Sequence, residues 1–361
     1  MARPEAGLGG ARLAIILAML VVLLLAPSQA GAAPSEFYGI AQGALDSEDA
    51  KGMAAAGVHT ERFLLRWKSI EPTRGSFDWS SRDRSIGRLA ARGIRPLPFV
   101  WGSPSWVGSG ALAQPPLNNP GEEQAWQDFL RRAVARYGPG GTYWGAPYHE
   151  QFPSAADAPM PVQSWQIWNE PNLKKFFTPG ANVDQSAQKY AQLLKLSHDA
   201  IVAKDPQAQI VLAGMPGYGD SKAWVFLDHL YPVAGVKSNF DAAALHPYAR
   251  NIDEFRREIR QFRASMTSHG DGATPLWLTE LAWGSGPPDQ FGHNVGPSGQ
   301  EQMLNNAFRL ILNNRSAWNI QRVFWFLWRD PAPGSYYAGL CSICGTAGLL
   351  KYGRGPKLAF S

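Results

Sequence analysis

The feature that most limits what this chain can fold into is an alternation of strand-like and helix-like segments that starts at Phe37. Short runs rich in β-branched and aromatic residues are followed by longer segments with helical spacing of apolar residues. Such alternation is typical of a parallel sheet whose strands are joined by crossover helices. We predict eight strands, at 37–42, 58–66, 94–101, 163–168, 209–214, 240–246, 275–280 and 321–328.

Seven helical segments lie between these strands, near 46–56, 80–92, 122–137, 184–204, 222–231, 252–268 and 298–314. Eight strands with intervening helices predict a (β/α)8 TIM barrel, an α/β fold. The alternative is an open doubly wound sheet, which usually carries a G-x-G-x-x-G turn that is absent here. The sequence stops soon after Gly355, so we expect the eighth helix to be short or missing. In the last helical segment, Ser298 and Glu301 have the spacing of a capping box.

The first 32 residues have the pattern of a signal peptide. Two arginines precede an uninterrupted apolar run at 13–26, and small residues follow it. Cleavage after Ala30 or after Ala32 fits this pattern. The run is shorter than a comfortable membrane span, although an uncleaved N-terminal anchor is the alternative. We therefore predict a secreted or cell-surface protein whose mature part, 33–361, is a single catalytic domain with no membrane segment.

Composition excludes several classes of protein. The net charge is only +5 and no long Lys/Arg run is present, so we predict no nucleic-acid partner. No P-loop or dinucleotide motif occurs, and we predict no cofactor and no metal. The only two cysteines, Cys341 and Cys344, form a C-x-x-C that lacks the second pair needed for a zinc site with four cysteine ligands. In a secreted chain this spacing favours a local disulfide.

Two glutamates stand where predicted strands end. Glu170 follows the fourth strand and Glu280 ends the seventh. In a closed barrel both strand ends open into one mouth, so two carboxylates 110 positions apart can face each other. Cleavage of a glycosidic bond needs such a pair, one protonated and one ionised. Their separation, about 5–5.5 Å for retention and about 6.5–9.5 Å for inversion, is not given by the sequence. The alternative is that both are structural residues in ion pairs.

Four segments together resemble a known family. They begin at Arg62 (RFLLRWKSIEPxxGxxDW), Ile167 (IWNEPN), Leu245 (LHPY) and Trp277 (WLTELAWG). In this order they resemble the clan of retaining glycoside hydrolases built on (β/α)8 barrels, and within it family 39 and family 5. The resemblance extends from about Phe37 to Lys357.

The resemblance implies a role for several residues. Glu170 would be the general acid/base and Glu280 the nucleophile. Asn169 would hydrogen-bond the sugar 2-OH, and Arg62 would lie beneath the nucleophile and keep it ionised. His246 and Tyr248 would line the mouth. Alternatively, Arg62 pairs with Glu61, and His246 is a satisfied core histidine.

Tryptophans at strand ends are candidates for stacking on a sugar. By the resemblance, Trp328 would form the floor under the sugar ring, although Trp325 is also available. Trp101 and Trp283 lie at or just after strand ends, where stacking and core packing are both open.

The function that we predict is a retaining O-glycoside hydrolase acting on an oligo- or polysaccharide by double displacement. A carbohydrate-binding barrel without catalysis is one alternative, and a transglycosylase with the same residues is another. The sugar, its linkage, endo or exo action and the oligomeric state are not determined by the sequence.

Overall fold

A computed structural model describes Met1 and residues 33–41, 46–154 and 158–360. One compact unit, Pro34–Ser361, contains every strand and helix given below. The predicted signal peptide, apart from Met1, lies outside the described residues, and its cleavage stays a prediction. Within the part of the chain that is described, no helix combines the length and apolar character that crossing a bilayer requires.

Nine parallel strands form one sheet. They are β1 (Tyr38–Ala41), β2 (Thr60–Arg66), β3 (Arg95–Trp101), β4 (Ser164–Ile167), β5 (Gln209–Val211), β6 (Met215–Pro216), β7 (Ala243–His246), β8 (Leu276–Leu281) and β9 (Ile320–Phe326).

The α-helices of the described residues either connect consecutive strands or lie in the loops between them. They are α1 (Ser47–Ala55), α2 (Trp67–Ile70), α3 (Ser80–Ala90), α4 (Pro120–Tyr137), α5 (Ala146–Gln151), α6 (Val183–Val202), α7 (Ala223–Leu230), α8 (Ile252–Ser268) and α9 (Gly296–Asn314). The two short helices α2 and α5 were not predicted, because neither is long enough to show a helical period.

The order of the strands is that of a barrel. Neighbours run β5-β4-β3-β2-β1-β9-β8-β7-β6, so all chain neighbours except β5 and β6 are sheet neighbours, and β1 pairs with β9. The predicted fifth strand, 209–214, forms β5 only over its first three residues; β5 pairs with β4, and β6, which starts just after the predicted strand, pairs with β7. The gap is bridged where Leu212 donates to Ala242 O at 2.9 Å. The eight predicted strands are therefore confirmed as eight barrel positions, and the doubly wound alternative is wrong.

Asparagine and aspartate side chains set where the long helices begin. Asp46 caps α1 in a reciprocal capping box with Asp49. Asn119, Asn182 and Asn251 accept hydrogen bonds from the first turns of α4, α6 and α8. Such caps satisfy backbone donors that a helix leaves unpaired. The predicted cap at Ser298 is wrong, since α9 starts two residues earlier and has no side-chain cap.

The eighth crossover helix is missing from the described residues, as predicted. After β9 the chain runs in turns to a 3₁₀ turn at Leu358–Phe360. Two buried ion pairs hold this segment, from Arg329 to Asp49 at 2.7 Å and from Lys357 to Asp330 at 2.7 Å. It therefore lies fixed beside the carboxyl end of the barrel, where active sites of this fold are found.

Candidate active site

Glu170 reaches the barrel mouth through an unusual backbone. After β4 the chain turns sharply, and both Trp168 (φ 73°) and Glu170 (φ 44°) adopt the left-handed conformation. Such conformations cost about 1–3 kcal/mol each in residues other than glycine, and they cluster at functional sites. The backbone N–H of Glu170 donates to Gly214 O at 3.0 Å, which ties the turn to the neighbouring barrel position. As a result the Glu170 side chain points inward and is almost fully buried.

Glu280 lies inside β8 and is held by two donors. Arg62 Nη1 contacts Glu280 Oε1 at 2.5 Å, and the Tyr248 hydroxyl donates to Oε2 at 2.7 Å. Both partners project from the barrel wall, Arg62 from β2 and Tyr248 from the loop after β7. A carboxylate that accepts several charged or polar donors is stabilised in its ionised form.

Arg62 joins the two halves of the site. This fully buried guanidinium donates to Glu280, to Asn169 Oδ1 at 2.8 Å and to Gln166 Oε1. Gln166 is itself fixed by its donation to Leu212 O at 2.9 Å. The alternative pairing of Arg62 with Glu61 is wrong, because successive residues of a strand face opposite sides.

The two carboxylates lie close together, with a histidine between them. Single ligand atoms of Glu170, His246 and Glu280 all fall within 4.8 Å of one another. His246 Nδ1 lies 2.8 Å from Glu170 Oε1 and 3.8 Å from Glu280 Oε2. His246 is fully buried, yet its contacts are with the two glutamates.

The surroundings shift the two carboxyl groups in opposite directions. Burial raises the pKa of Glu170 most strongly, and the charge of Glu280 adds to it. The hydrogen bond and charge of His246 and the charge of Arg62 lower this pKa, but the net pKa stays above its ordinary value. Burial also raises the pKa of Glu280, but the charges of His246 and Arg62 and the hydrogen bonds from Tyr248 and Arg62 outweigh it, and the net pKa lies below its ordinary value. The site therefore favours one protonated and one ionised carboxyl group, the division that acid–base catalysis at a neutral pH requires.

The same three ligand atoms could in principle bind a cation. However, the Arg62 guanidinium already occupies one oxygen of Glu280 and Tyr248 occupies the other. A guanidinium in contact supplies the positive charge that a metal would bring, and it repels a second cation. The donor set fits a carboxylate pair better than a metal site.

Two of the three tryptophans predicted to bind substrate are buried in the protein interior. Trp283 is fully buried, donates to Ala249 O at 2.6 Å and packs against Trp325 and Phe255. Trp328 is only 1% exposed and contacts Phe360.

Trp283 is enclosed by its aromatic neighbours, and the Trp328 ring lies against Gly52 of α1, so neither residue offers a face on which a sugar can stack. Phe326, not a tryptophan, reaches the mouth and lies edge-on to Tyr248, at 6.2 Å between ring centroids. Trp101 is half-buried and donates to Phe176 O at 2.9 Å, which leaves part of its ring exposed.

Loops after β6 and β9 bring further residues to the mouth that the sequence analysis missed. Tyr218 follows β6, and burial together with the charges of Glu170 and Glu280 raises its pKa. Tyr337 lies in the loop after β9; burial and the charge of Glu280 raise its pKa, and the charge of Arg62 opposes this. The position of Tyr218 just after a strand end was an available signal, whereas Tyr337 lies well inside the loop after β9. Neither tyrosine has a spacing that distinguishes it from packing tyrosines.

A cavity of about 800 Å³ opens beside Tyr337. Its walls come from β2, the start of α1 and α3 and the segment after β9, and include Phe63, Arg82, Leu327 and Arg329. This volume is within the range of small-molecule binding sites, about 300–1,000 Å³. In the same segment after β9, Cys341 and Cys344 are joined by a disulfide.

Solved structures similar to this chain are glycoside hydrolases. A family 39 glycoside hydrolase from Bacteroides cellulosilyticus WH2 has a TM-score of 0.65 at 18% identity, over 91% of this chain and 62% of that one. A monomeric β-xylosidase from Caulobacter crescentus CB15 has a TM-score of 0.56 at 16% identity, over 91% of this chain and 67% of that one. At these identities the likeness shows the fold, which is the (β/α)8 barrel.

Two curated relatives match shorter stretches. Endo-1,4-beta-xylanase 1 of Gibberella zeae is 32% identical over 92 residues, 24% of this chain and 25% of the relative. Endo-1,4-beta-xylanase A of Fusarium oxysporum f. sp. lycopersici is 29% identical over 123 residues, 31% of this chain and 36% of the relative. This chain thus spans only about a quarter to a third of these two proteins.

A family model supplies the assignment. The model of the glycosyl hydrolase catalytic core matches residues 141–345, which is more than half of the chain. The matched region contains Glu170, His246 and Glu280, the three side chains that meet in the mouth. The chain therefore belongs to the glycosyl hydrolase catalytic core family.

Proposed function

We propose that this protein is a retaining glycoside hydrolase in which Glu170 is the general acid/base and Glu280 the nucleophile. One observation carries the proposal: two buried carboxylates have oxygens within 4.8 Å of each other and pKa values shifted in opposite directions. This proximity favours the separation of about 5–5.5 Å found in retaining enzymes over the separation of about 6.5–9.5 Å found in inverting ones.

In the first step Glu280 attacks the anomeric carbon and forms a glycosyl ester. The glycosidic C–O bond breaks, its electron pair stays on the leaving oxygen, and that oxygen takes the proton of Glu170. The raised pKa of Glu170 keeps this proton available, and the lowered pKa of Glu280 keeps the nucleophile ionised.

In the second step Glu170, now a carboxylate, takes a proton from water. The water oxygen attacks the anomeric carbon, the ester bond breaks and Glu280 leaves as a carboxylate. After the first step Glu280 carries no charge, so its contribution to the raised pKa of Glu170 is gone; the pKa of Glu170 falls, and Glu170 can act as the base.

Arg62 and Asn169 have positioning and binding roles in this scheme. Arg62 holds the ionised Glu280 and orients Asn169 through its 2.8 Å hydrogen bond to Oδ1. That bond leaves the Asn169 amide group free to donate to the sugar 2-OH, an interaction that strengthens in the transition state.

The substrate that we propose is an oligo- or polysaccharide, and the protein acts outside the cytoplasm if the predicted signal peptide is cleaved. The two curated relatives are named as endo-1,4-beta-xylanases, which makes xylan the first polysaccharide to test. A hydrolysis screen against xylan, mannan and glucan identifies the sugar.

The test of the catalytic roles is Glu280→Gln. We expect a loss of kcat on the order of 10⁴-fold or more, as for nucleophiles in other covalent mechanisms, with substrate binding nearly unchanged. A 2-fluoro glycosyl fluoride should label the wild type on Glu280. Unchanged turnover in Glu280→Gln refutes the role, and a wild type that binds sugar but neither turns over nor takes the label indicates a silent binding barrel.

A matched control is Glu61→Gln. Glu61 is also a buried glutamate, and burial raises its pKa to about 8, so that glutamine is close to isosteric with its neutral form. We expect this variant to keep wild-type turnover. Product analysis at high acceptor concentration separates hydrolysis from transglycosylation.

A further inference from the structure

The loop after β6 is built as a fixed platform at the mouth. Asn172 Nδ2 donates to Pro216 O at 3.1 Å and to Ser221 O at 2.6 Å, so it holds both ends of the loop. Asn172 is the last residue of the segment that carries Glu170. The loop is thus tied to the acid/base segment by two hydrogen bonds.

A second contact fixes the loop from behind. The buried carboxyl group of Glu258 on α8 lies directly against the Cα of Gly217, where a Cβ atom would come within 2.4 Å of it. A larger residue at this point would require the Glu258 carboxyl group to shift. The backbone that leads into Tyr218 is therefore packed against α8.

Tyr218 presents an exposed ring at the mouth. The ring is 44% exposed and lies 6.3 Å from the His293 ring between centroids. Tyr218 stands two residues after the end of β6, at the carboxyl end of the barrel where Glu170 and Glu280 also lie. Among the described residues, no hydrogen-bond partner takes up the Tyr218 hydroxyl. A fixed donor with no protein acceptor is suited to a ligand oxygen.

The catalytic pair divides the mouth into two sides. One side is formed by β9, β1, β2 and β3, and it carries Arg62 and, through Arg62, the orientation of Asn169. In the proposed mechanism the sugar whose anomeric carbon reacts lies against these residues. The leaving group then extends over the other side, formed by β5, β6 and β7, where Tyr218 stands.

We infer that Tyr218, with His293 beside it, forms the binding site for the sugar of the leaving group. The Tyr218 hydroxyl donates to a sugar oxygen and its exposed ring face packs on the C–H face of the sugar. This inference rests on the proposed function, and it goes beyond that function by assigning a binding residue and a side of the cleft.

The experiment compares two substrates that differ only in the leaving group. The leaving group of β-xylosyl fluoride is fluoride, so no sugar lies on the Tyr218 side. The leaving group of a xylo-oligosaccharide is a sugar, which would lie there. If the hydrolysis screen identifies another sugar, the fluoride and oligosaccharide of that sugar are used. The enzymes are the wild type, Tyr218→Phe and Tyr218→Ala, with thermal melts to check folding.

We expect kcat/KM for the oligosaccharide to fall about 5-fold in Tyr218→Phe, the value of one neutral hydrogen bond, and on the order of 10-fold or more in Tyr218→Ala. Both variants should keep kcat/KM for the fluoride within about twofold, because fluoride makes no contact with Tyr218. The control is Tyr336→Ala, which removes an 87% exposed tyrosine and should change neither substrate.

Equal losses on both substrates overturn the inference, because Tyr218 would then act on the reacting sugar or on the fold. Unchanged kinetics with the oligosaccharide overturn it as well. A wild type that hydrolyses neither substrate, nor any sugar in the screen, refutes the proposed function itself, and the inference falls with it.

Discussion

Replacing Tyr248 with phenylalanine removes one hydrogen bond from Glu280 and little else. The hydroxyl donates to Glu280 Oε2 at 2.7 Å, while the ring packs edge-on to Phe326 and His246, contacts that phenylalanine keeps. A hydrogen bond to a charged group contributes about 1.5–3 kcal/mol. Since one pKa unit corresponds to about 1.36 kcal/mol, the pKa of Glu280 should rise by about 1–2 units.

The sign of the effect on activity follows from the role of Glu280. A nucleophile must be ionised, so activity is lost as the pH falls through its pKa. In the wild type this pKa is held below its ordinary value, so we expect activity to persist at acidic pH. In Tyr248→Phe the acidic limb of kcat/KM should therefore move to higher pH by about 1–2 units, while the basic limb, set by Glu170, should move much less.

The assay is the pH dependence of kcat/KM with an activated aryl glycoside, measured for both proteins at one ionic strength. Tyr336→Phe, a change at an exposed tyrosine, is the matched control and should reproduce the wild-type profile. An acidic limb that stays in place, or that moves to lower pH, refutes the assignment of Tyr248 as a group that keeps the nucleophile ionised.

Two further predictions follow from the same geometry. His246 lowers the pKa of Glu170, so His246→Asn should raise that pKa and move the basic limb of the pH profile to higher pH; a basic limb that moves down would contradict the proposed acid. Trp283 is a core residue, so Trp283→Ala should destabilise the fold by about 3–5 kcal/mol, visible as a lower Tm. If Trp283→Ala instead weakens substrate binding and leaves Tm unchanged, Trp283 stacks on the substrate and the assignment to the core is wrong.

Much of the barrel could be predicted because its signals are local. Strand and helix periods, and caps such as Asn251 before α8, depend on residues within one or two turns. The interruption between β5 and β6 could not be predicted, since it depends on pairing with Ala242 on a neighbouring strand. The false cap at Ser298 shows the limit of motif spacing, because tertiary packing decided where α9 begins.

The sequence by itself determined the type and order of the elements and placed Glu170 and Glu280 at strand ends, because those patterns are written in short stretches of chain. Only the tertiary structure decided which side chains meet. It brought Arg62 to Glu280 across 218 positions, placed Tyr218 at the carboxyl end of the barrel and packed Trp328 against Gly52 and Phe360. Such contacts depend on strand register and barrel closure, which are settled by the packing of the whole chain.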